Sequence, residues 1–223
     1  SAAAALENLA DVIGINCSLG PKEILPIAKK LSACCSKPIM IQPNAGLPHV
    51  ENGETVYRVT PEEFEEDMAE FYRLGAAILG GCCGTTPEHI FRMTEACRKI
   101  PVKTPVKKTD TIVSSYGRAV VIGDKPVIIG ERINPTGKKR MKQALKDHDM
   151  DYLLKEAITQ QDKGAHILDV NVGLPDIDEV AMMQEAVKEL QSITSLPLQI
   201  DTVDIEAMEA AMRIYNGKPM VNS

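Results

Sequence analysis

Three of the six cysteines in this 223-residue sequence occur where short apolar runs end. Cys17 follows the run DVIGIN, and the adjacent Cys82 and Cys83 follow AAILGG. Thiolates that converge from the ends of neighbouring strands can hold Zn²⁺ with one tetrahedral position free, the arrangement of a catalytic zinc site. A thiol substrate in that position would lose its proton to the metal and become a nucleophile at neutral pH.

Adjacent cysteines do not by themselves establish a metal site, because such a pair is more often buried or incidental. A redox pair is a further alternative, but adjacent cysteines form strained disulfides and Cys17 would then be unexplained. The other cysteines lie on predicted helices away from the strand ends, and we expect them to be small buried side chains. They are Cys34, Cys35 and Cys97.

Acid and amide side chains end four apolar runs in the second half of the sequence. They are Glu131, Asn134, Asp169, Asn171, Asp201 and Asn222. A pterin presents an amino group beside a ring N–H, and a carboxylate accepts two such bonds in parallel, while Asn can donate and accept. Any single one of these residues could be a loop cap or turn former. Their recurrence at successive strand ends favours a binding site.

The elements that must position these residues are strands separated by single helices, which indicates parallel βαβ units. Predicted strands cover 11–16, 38–42 and 76–80, and four more begin near residues 127, 165, 196 and 219. A closed (β/α)8 barrel takes about 250 residues, so two complete barrels do not fit. We expect an α/β fold made of parts of two truncated TIM barrels: the last three βα units of one and the first four strands of another.

The connector between the two parts is rich in proline, lysine and hydroxyl residues, as is typical of an extended segment. The expected organisation is residues 1–100 for the first barrel part, 101–118 for the linker and 119–223 for the second barrel part. Ala119–Ile122 and Val127–Gly130, separated by a Gly-Asp turn, are predicted to form a hairpin. The alanine-rich start lacks the pattern of a signal peptide and reads as part of a helix.

The charge and the lengths of the apolar runs argue against nucleic acid and membrane as partners. The net charge of −6 without a concentrated basic face argues against nucleic acid. No run approaches the roughly 18 apolar residues of a membrane helix. Six cysteines without a secretory segment indicate a reducing, cytoplasmic environment.

The stretches GINCSLGP, IQPNAG and GGCCGTTPEHI together resemble the zinc-dependent homocysteine methyltransferase family over residues 6–100. The resemblance implies that Cys17, Cys82 and Cys83 bind zinc and activate homocysteine. It also implies that Asn44 touches the metal or the amino-acid substrate, although a turn-forming Asn is the alternative.

The stretches GERINPTG, GAHILDVNVG, LPLQIDT and MVNS resemble the pterin-binding barrel family. The resemblance implies pterin contacts from Asn134, Asp169, Asp201 and Asn222, with Asn171 beside them. Asp201 and Asn222 are the first expected pair, and Glu131 is expected to order the first loop.

The two parts in this order resemble the cobalamin-dependent methionine synthase family. The implied chemistry is methylation of cobalamin by 5-methyltetrahydrofolate, followed by transfer of that methyl group to zinc-bound homocysteine. The cobalamin would be carried on a module absent from this chain, and the chain alone is expected to be inactive. Alternatives are a non-catalytic zinc- and pterin-binding fragment, whose open sheets would cause self-association, and a related corrinoid-dependent thiol methyltransferase.

Overall fold

A computed structural model describes all 223 residues, which divide into two compact units. Leu6–Thr109 forms the first unit, and Asp110–Ser223 with Ser1–Ala5 forms the second. Each unit has its own hydrophobic core and its own parallel sheet. The predicted α/β fold with parallel sheets is therefore confirmed. No helix has both the length and the apolar character needed to cross a bilayer.

The elements up to the connector are α1 (Ala2–Leu6), β1 (Ile13–Asn16), α2 (Pro21–Cys34), β2 (Ile39–Gln42), β3 (His49–Glu51), β4 (Glu54–Val56), α3 (Pro61–Leu74), β5 (Ala76–Leu79) and α4 (Pro87–Cys97). The parallel sheet has the order β1-β2-β5, and β3 and β4 form a separate antiparallel hairpin. The parallel order aligns the carboxyl ends of β1, β2 and β5 at one edge of the sheet.

Helix α3 shows how the sequence fixes the elements of the first unit. The Thr60 hydroxyl accepts a hydrogen bond from the Glu63 N–H, and the Glu63 carboxylate accepts one from the Thr60 N–H, a complete capping box. Gly75 ends the helix in the left-handed conformation that suits glycine. One face buries Phe64 and Phe71 completely, so the helix is held to the sheet by its apolar stripe.

The second unit contains β6 (Thr111–Ser114), β7 (Ala119–Ile122), β8 (Ile129–Ile133), α5 (Lys139–Lys146), α6 (Met150–Asp162), β9 (Ile167–Val170), α7 (Glu179–Ile193), β10 (Leu198–Asp201), α8 (Ile205–Ile214) and β11 (Met220–Asn222). Its parallel sheet has the order β11-β10-β9-β8. Strand β9 is buried along its whole length, as expected for a central strand of a parallel sheet covered on both faces.

The predicted hairpin between 119–122 and 127–130 is wrong. Strand β7 pairs antiparallel with β6, which lies in the stretch predicted as linker, whereas β8 pairs in parallel with β9. The Ser115 hydroxyl accepts hydrogen bonds from the N–H groups of Gly117 and Arg118, so it closes the β6–β7 turn locally. A serine turn of this kind carries a weaker sequence signal than the Gly-Asp pair after β7.

The three cysteines expected to be buried differ from one another. Cys35 is buried, Cys97 is half-buried and Cys34 is exposed. The prediction for Cys34 is therefore wrong, because Cys34 is the last residue of α2 and lies beyond its buried positions Ile24 and Ala28.

Candidate functional site

The ends of β1 and β5 bring the three predicted thiols together. Cys17 directly follows β1, and Cys82 and Cys83 lie in the loop after β5. The Cys83 sulfur lies 3.8 Å from the Cys17 sulfur and 3.8 Å from the Cys82 sulfur. All three sulfurs lie within 4.8 Å of one another.

This spacing fits a zinc ion. Zn–S bonds of about 2.3 Å at tetrahedral angles place two sulfurs about 3.8 Å apart. The thiol pairs that include Cys83 already have that separation. Three soft sulfur donors favour zinc over the hard cations magnesium and calcium, and they leave the fourth tetrahedral position for another ligand.

The Cys17 side chain is set by an unusual backbone. Cys17 and Ser18 both have left-handed conformations, with φ angles of 62° and 63°, which are uncommon for residues other than glycine and concentrate at functional sites. The hydrogen bond from the Ser18 backbone is the main cause that lowers the pKa of the Cys17 thiol, with smaller contributions from Cys82, Cys83 and Asn44. The strained turn therefore favours the thiolate.

The loop that carries Cys82 and Cys83 is tied to the PNAG loop after β2. The Cys82 N–H donates to the Pro43 carbonyl at 2.8 Å, and the Ala45 N–H donates to the Cys83 carbonyl at 2.8 Å. Gly84 has a φ of +78°, and a Cβ there would lie 2.4 Å from Tyr57. Glycine is therefore required directly after the thiol pair.

Asn44 joins the two ligand loops. Its side chain is buried, and its Oδ1 accepts a hydrogen bond from the Cys83 N–H at 3.2 Å. Its own N–H donates to the Leu19 carbonyl at 3.0 Å. Its side chain also lowers the pKa of Cys17. These contacts position the thiols; a contact of Asn44 with metal or substrate stays a prediction.

Tyr57 and His89 contact residues that follow the thiol pair, Gly84 and Thr86 respectively, and neither was predicted from the sequence. The His89 Nδ1 accepts a hydrogen bond from the Thr86 N–H at 3.2 Å, so its Nε2, 3.0 Å from the Val59 carbonyl, is the donor. His89 occupies the capping-box position normally taken by Glu or Gln, which is the signal that could have identified it. Tyr57 directly follows β4, and its ring lies against Gly84.

In the second unit, three of the predicted polar residues meet around one carboxylate. Asp201 ends β10, and its two oxygens accept hydrogen bonds from the Asn171 Nδ2 at 3.0 Å and the Asn222 Nδ2 at 3.1 Å. These side chains come from the ends of three adjacent strands. A carboxylate oxygen has two acceptor positions, so both oxygens retain capacity for a further donor.

Asp169 lies on β9 beside this group and is buried. Burial raises its pKa to about 6; the hydrogen bond from Gln199 opposes that rise, and the negative charges of Asp201 and Glu131 add to it. Gln199, which sequence analysis did not single out, faces Asp169 in the strand register. A carboxyl group with such a shift, at the end of a parallel strand, is a candidate functional group.

Glu131 lies on β8 and Asn134 directly follows that strand, and both side chains have local partners. The Glu131 carboxylate forms an ion pair with Lys138 at 2.9 Å, and the Lys138 ammonium also donates to the Glu131 carbonyl. The Asn134 Oδ1 accepts a hydrogen bond from the Thr136 N–H at 2.8 Å, which is a turn-forming contact. Pterin contacts by these residues stay predictions.

Two enzyme families match different parts of the chain. Residues 1–97 match the family described as "Homocysteine S-methyltransferase", and residues 130–223 match the family described as "Pterin binding enzyme". The chain therefore combines a segment that matches the first family with a segment that matches the second.

Curated relatives match the whole chain. It is 33% identical to "Methionine synthase" of Mycobacterium leprae (strain TN) over 232 residues, which covers 100% of this chain and 19% of that protein. It is also 33% identical to "Methionine synthase" of Mycobacterium tuberculosis (strain ATCC 25618 / H37Rv) over 218 residues, with coverages of 96% and 18%. The predicted resemblance to methionine synthases is confirmed, and the chain spans about a fifth of the length of these relatives.

Among solved structures, the alignment with Rhizobium etli pyruvate carboxylase covers 95% of this chain and 19% of the carboxylase chain, at 14% identity and a TM-score of 0.29. A TM-score at that level does not define a shared fold.

Proposed function

We propose that this chain contributes a zinc centre for homocysteine and a pterin site for 5-methyltetrahydrofolate to a methionine synthase. In this proposal, cobalamin on a separate module carries the methyl group between the two sites, in the cytoplasm. The observation that carries it is the set of three thiols at the spacing of tetrahedral zinc ligands.

The proposed architecture is parts of two (β/α)8 barrels, in residues 1–100 and 119–223, joined by the linker 101–118. Apolar side chains on the outer strands support it: Ile78 on β5, Ile129 on β8 and Val221 on β11 are all exposed. Parallel sheets are normally covered on both faces, and further strands and helices of a barrel would cover these residues.

At the zinc centre, Cys17, Cys82 and Cys83 would hold the ion, and the fourth position would take the homocysteine sulfur. Bound zinc would let that thiol ionise at neutral pH. The chain's own part is to keep three thiolates converged, which Asn44 and the Ser18 N–H assist by hydrogen bonding.

At the pterin site, Asp201 would accept hydrogen bonds from the donor-rich pterin edge. Asn171 and Asn222 hold its carboxylate and leave their own amide oxygens near the same strand ends. Asp169 and Asn134 would add contacts, and Glu131 would order the first loop through Lys138.

The zinc proposal is tested by Cys82→Ser. We expect this variant to lose zinc retention and, in the complete enzyme, homocysteine methylation, because a neutral hydroxyl replaces one of three thiolates. Zinc content per chain after dialysis measures the effect. Cys34→Ser makes the same chemical change at an exposed position and should retain zinc. Full zinc content in Cys82→Ser would refute the proposal.

A further inference from the structure

Thr202 follows Asp201 directly, and its side chain lies on the opposite face of the sheet. Successive side chains of a strand alternate between the two faces, and the ladder reaches residue 202, because the Thr202 N–H donates to the Asn222 carbonyl at 3.1 Å. Thr202 therefore shares the face of Ile200, and both residues are buried, with only 3% of Thr202 exposed. A polar side chain at such a position requires hydrogen-bond partners.

The Thr202 hydroxyl joins the end of β10 to the start of α7. It donates a hydrogen bond to the Glu179 carboxylate and accepts one from the Asp204 N–H at 3.0 Å. An ionised carboxylate only accepts hydrogen bonds, so the hydroxyl proton is directed at Glu179 and a lone pair faces Asp204. Hydrogen bonds to a charged acceptor are stronger than those between neutral groups. Glu179 is the first residue of α7, and the loop before it begins at Asn171.

The segments that carry Asn171 and Asp201 are therefore connected on both faces of the sheet. On the face of the candidate site, the Asn171 Nδ2 donates to Asp201 at 3.0 Å, and the Asn171 Oδ1 accepts from the Gly173 N–H at 3.0 Å. On the other face, Thr202 and Glu179 form a pair that we call the clasp. The clasp limits how far the end of β10 can move from the loop that holds Asn171.

An equivalent threonine lies before β10, at the opposite end of the strand. Thr194 is also 3% exposed, and its hydroxyl accepts a hydrogen bond from the Leu196 N–H at 3.0 Å. The same hydroxyl donates to the side-chain oxygen of Gln161 on α6 at 2.6 Å. The two threonines thus have the same burial and the same pattern of hydrogen bonds, but only Thr202 adjoins a proposed pterin contact.

We propose that Thr202 and Glu179 are positioning residues of the pterin site: the clasp holds the Asp201 carboxylate where both of its oxygens can accept hydrogen bonds from the pterin. The inference rests on the proposed pterin function and extends it to two residues that do not touch the ligand. Binding groups must be held close to their productive geometry, and hydrogen bonds behind them supply that restraint.

The test measures the affinity of the complete enzyme for 5-methyltetrahydrofolate by calorimetric titration. Thr202→Val removes the hydroxyl and keeps the branched shape, and we expect about 10-fold weaker binding. Thr202→Ser keeps the hydroxyl and should bind as the wild type does. Thr194→Val makes the same chemical change at the other end of β10 and should also retain wild-type affinity.

Glu179→Ala removes the other half of the clasp and should weaken binding as much as Thr202→Val does. The double variant should bind no more weakly than either single variant, because residues that act as one unit have non-additive effects. Additive losses would overturn the inference, since the two residues would then act independently.

Three further outcomes would overturn the inference. They are unchanged affinity in Thr202→Val, an equal loss in Thr194→Val, which would indicate general destabilisation, and a loss in Thr202→Ser as large as in Thr202→Val. If Asp201→Asn still weakens binding in the same series, the proposed pterin function stands without the clasp. A wild-type enzyme that does not bind 5-methyltetrahydrofolate would overturn both proposals.

Discussion

The ionisable side chains at the two candidate sites differ in the direction and cause of their pKa shifts. The pKa of Cys17 is lowered mainly by the Ser18 backbone, whereas the pKa of Cys82 is raised mainly by its contact with Cys17. Asp169 is a stronger case, because burial is the main cause that raises its pKa to about 6. Each site therefore contains one group whose pKa is raised, Cys82 in the first and Asp169 in the second, and shifted pKa values of this kind cluster at functional sites.

Asp169→Asn should remove a pH dependence of stability. A carboxyl whose pKa rises from 3.8 to about 6 on folding binds its proton more tightly in the folded state. The free energy of unfolding of the wild type therefore falls as pH rises from about 4 to 6. At pH 7 we expect the variant to be about 1–3 kcal/mol more stable than the wild type, with the difference vanishing near pH 4.

Urea denaturation at several pH values measures this effect. Asp124→Asn, in the exposed turn after β7, provides the same chemical change without burial and should alter stability little at any pH. A wild-type stability that is flat or rising between pH 4 and 6 relative to Asp169→Asn would contradict the assignment.

At the scale of elements, the site residues that could be predicted from the sequence are those at the ends of regular strands. The thiols and the Asp201, Asn171 and Asn222 group occur where apolar runs stop, so parallel topology alone predicts that they converge. Tyr57 and His89 could not be predicted in the same way. Their positions depend on how the irregular segment around β3 and β4 returns to the sheet, and no periodic pattern encodes that path.

The β6–β7 hairpin was missed for a related reason. Its registration depends on long-range contacts: the Tyr215 hydroxyl donates to the Ser114 carbonyl at 3.0 Å, and the Lys218 N–H donates to the same carbonyl at 2.9 Å. These residues lie about a hundred positions away along the chain. Local propensity favoured the Gly-Asp turn instead, and tertiary context overrode it.

Two glycines with similar backbone conformations provide a test at this scale, because their surroundings differ. Gly84 lies in the loop after β5, and Gly53 lies in the turn between β3 and β4. Gly84 has a φ of +78° and Gly53 a φ of +84°, but only the Cβ of an alanine at 84 would meet another residue, Tyr57 at 2.4 Å. Gly53→Ala should cost about 1–2 kcal/mol from backbone conformation alone. Gly84→Ala should cost about 1–3 kcal/mol more from overpacking and should weaken zinc binding.

Chemical denaturation and chelator competition on the two variants separate these effects. Equal destabilisation, or undiminished zinc affinity in Gly84→Ala, would show that the ring does not confine the loop.

At the scale of the molecule, the two candidate sites belong to separate compact units, each with its own core. The proposed zinc ligands all lie in Leu6–Thr109, and the proposed pterin contacts all lie in Asp110–Ser223. Changes at one site should therefore leave ligand binding at the other intact.

Asp201→Asn tests this separation. We expect it to weaken folate binding by about 10–100-fold, because a charged acceptor is lost, while zinc content stays at the wild-type level. Cys82→Ser should show the reverse pattern. Calorimetric titration with methyltetrahydrofolate and metal analysis measure the two properties. Loss of zinc in Asp201→Asn, or unchanged folate affinity, would contradict the assignment.

The two-ended role of His89 has a consequence for how this sequence can vary. Its Nδ1 accepts a hydrogen bond from the Thr86 N–H at the start of α4, and its Nε2 donates to the Val59 carbonyl, two residues after Tyr57. Glutamate would preserve the cap but could not donate to the Val59 carbonyl, whereas glutamine offers both an acceptor and a donor. We therefore expect position 89 to tolerate only side chains that accept a hydrogen bond at one end and donate one at the other, whatever residue occupies position 59, because its partner there is a backbone carbonyl.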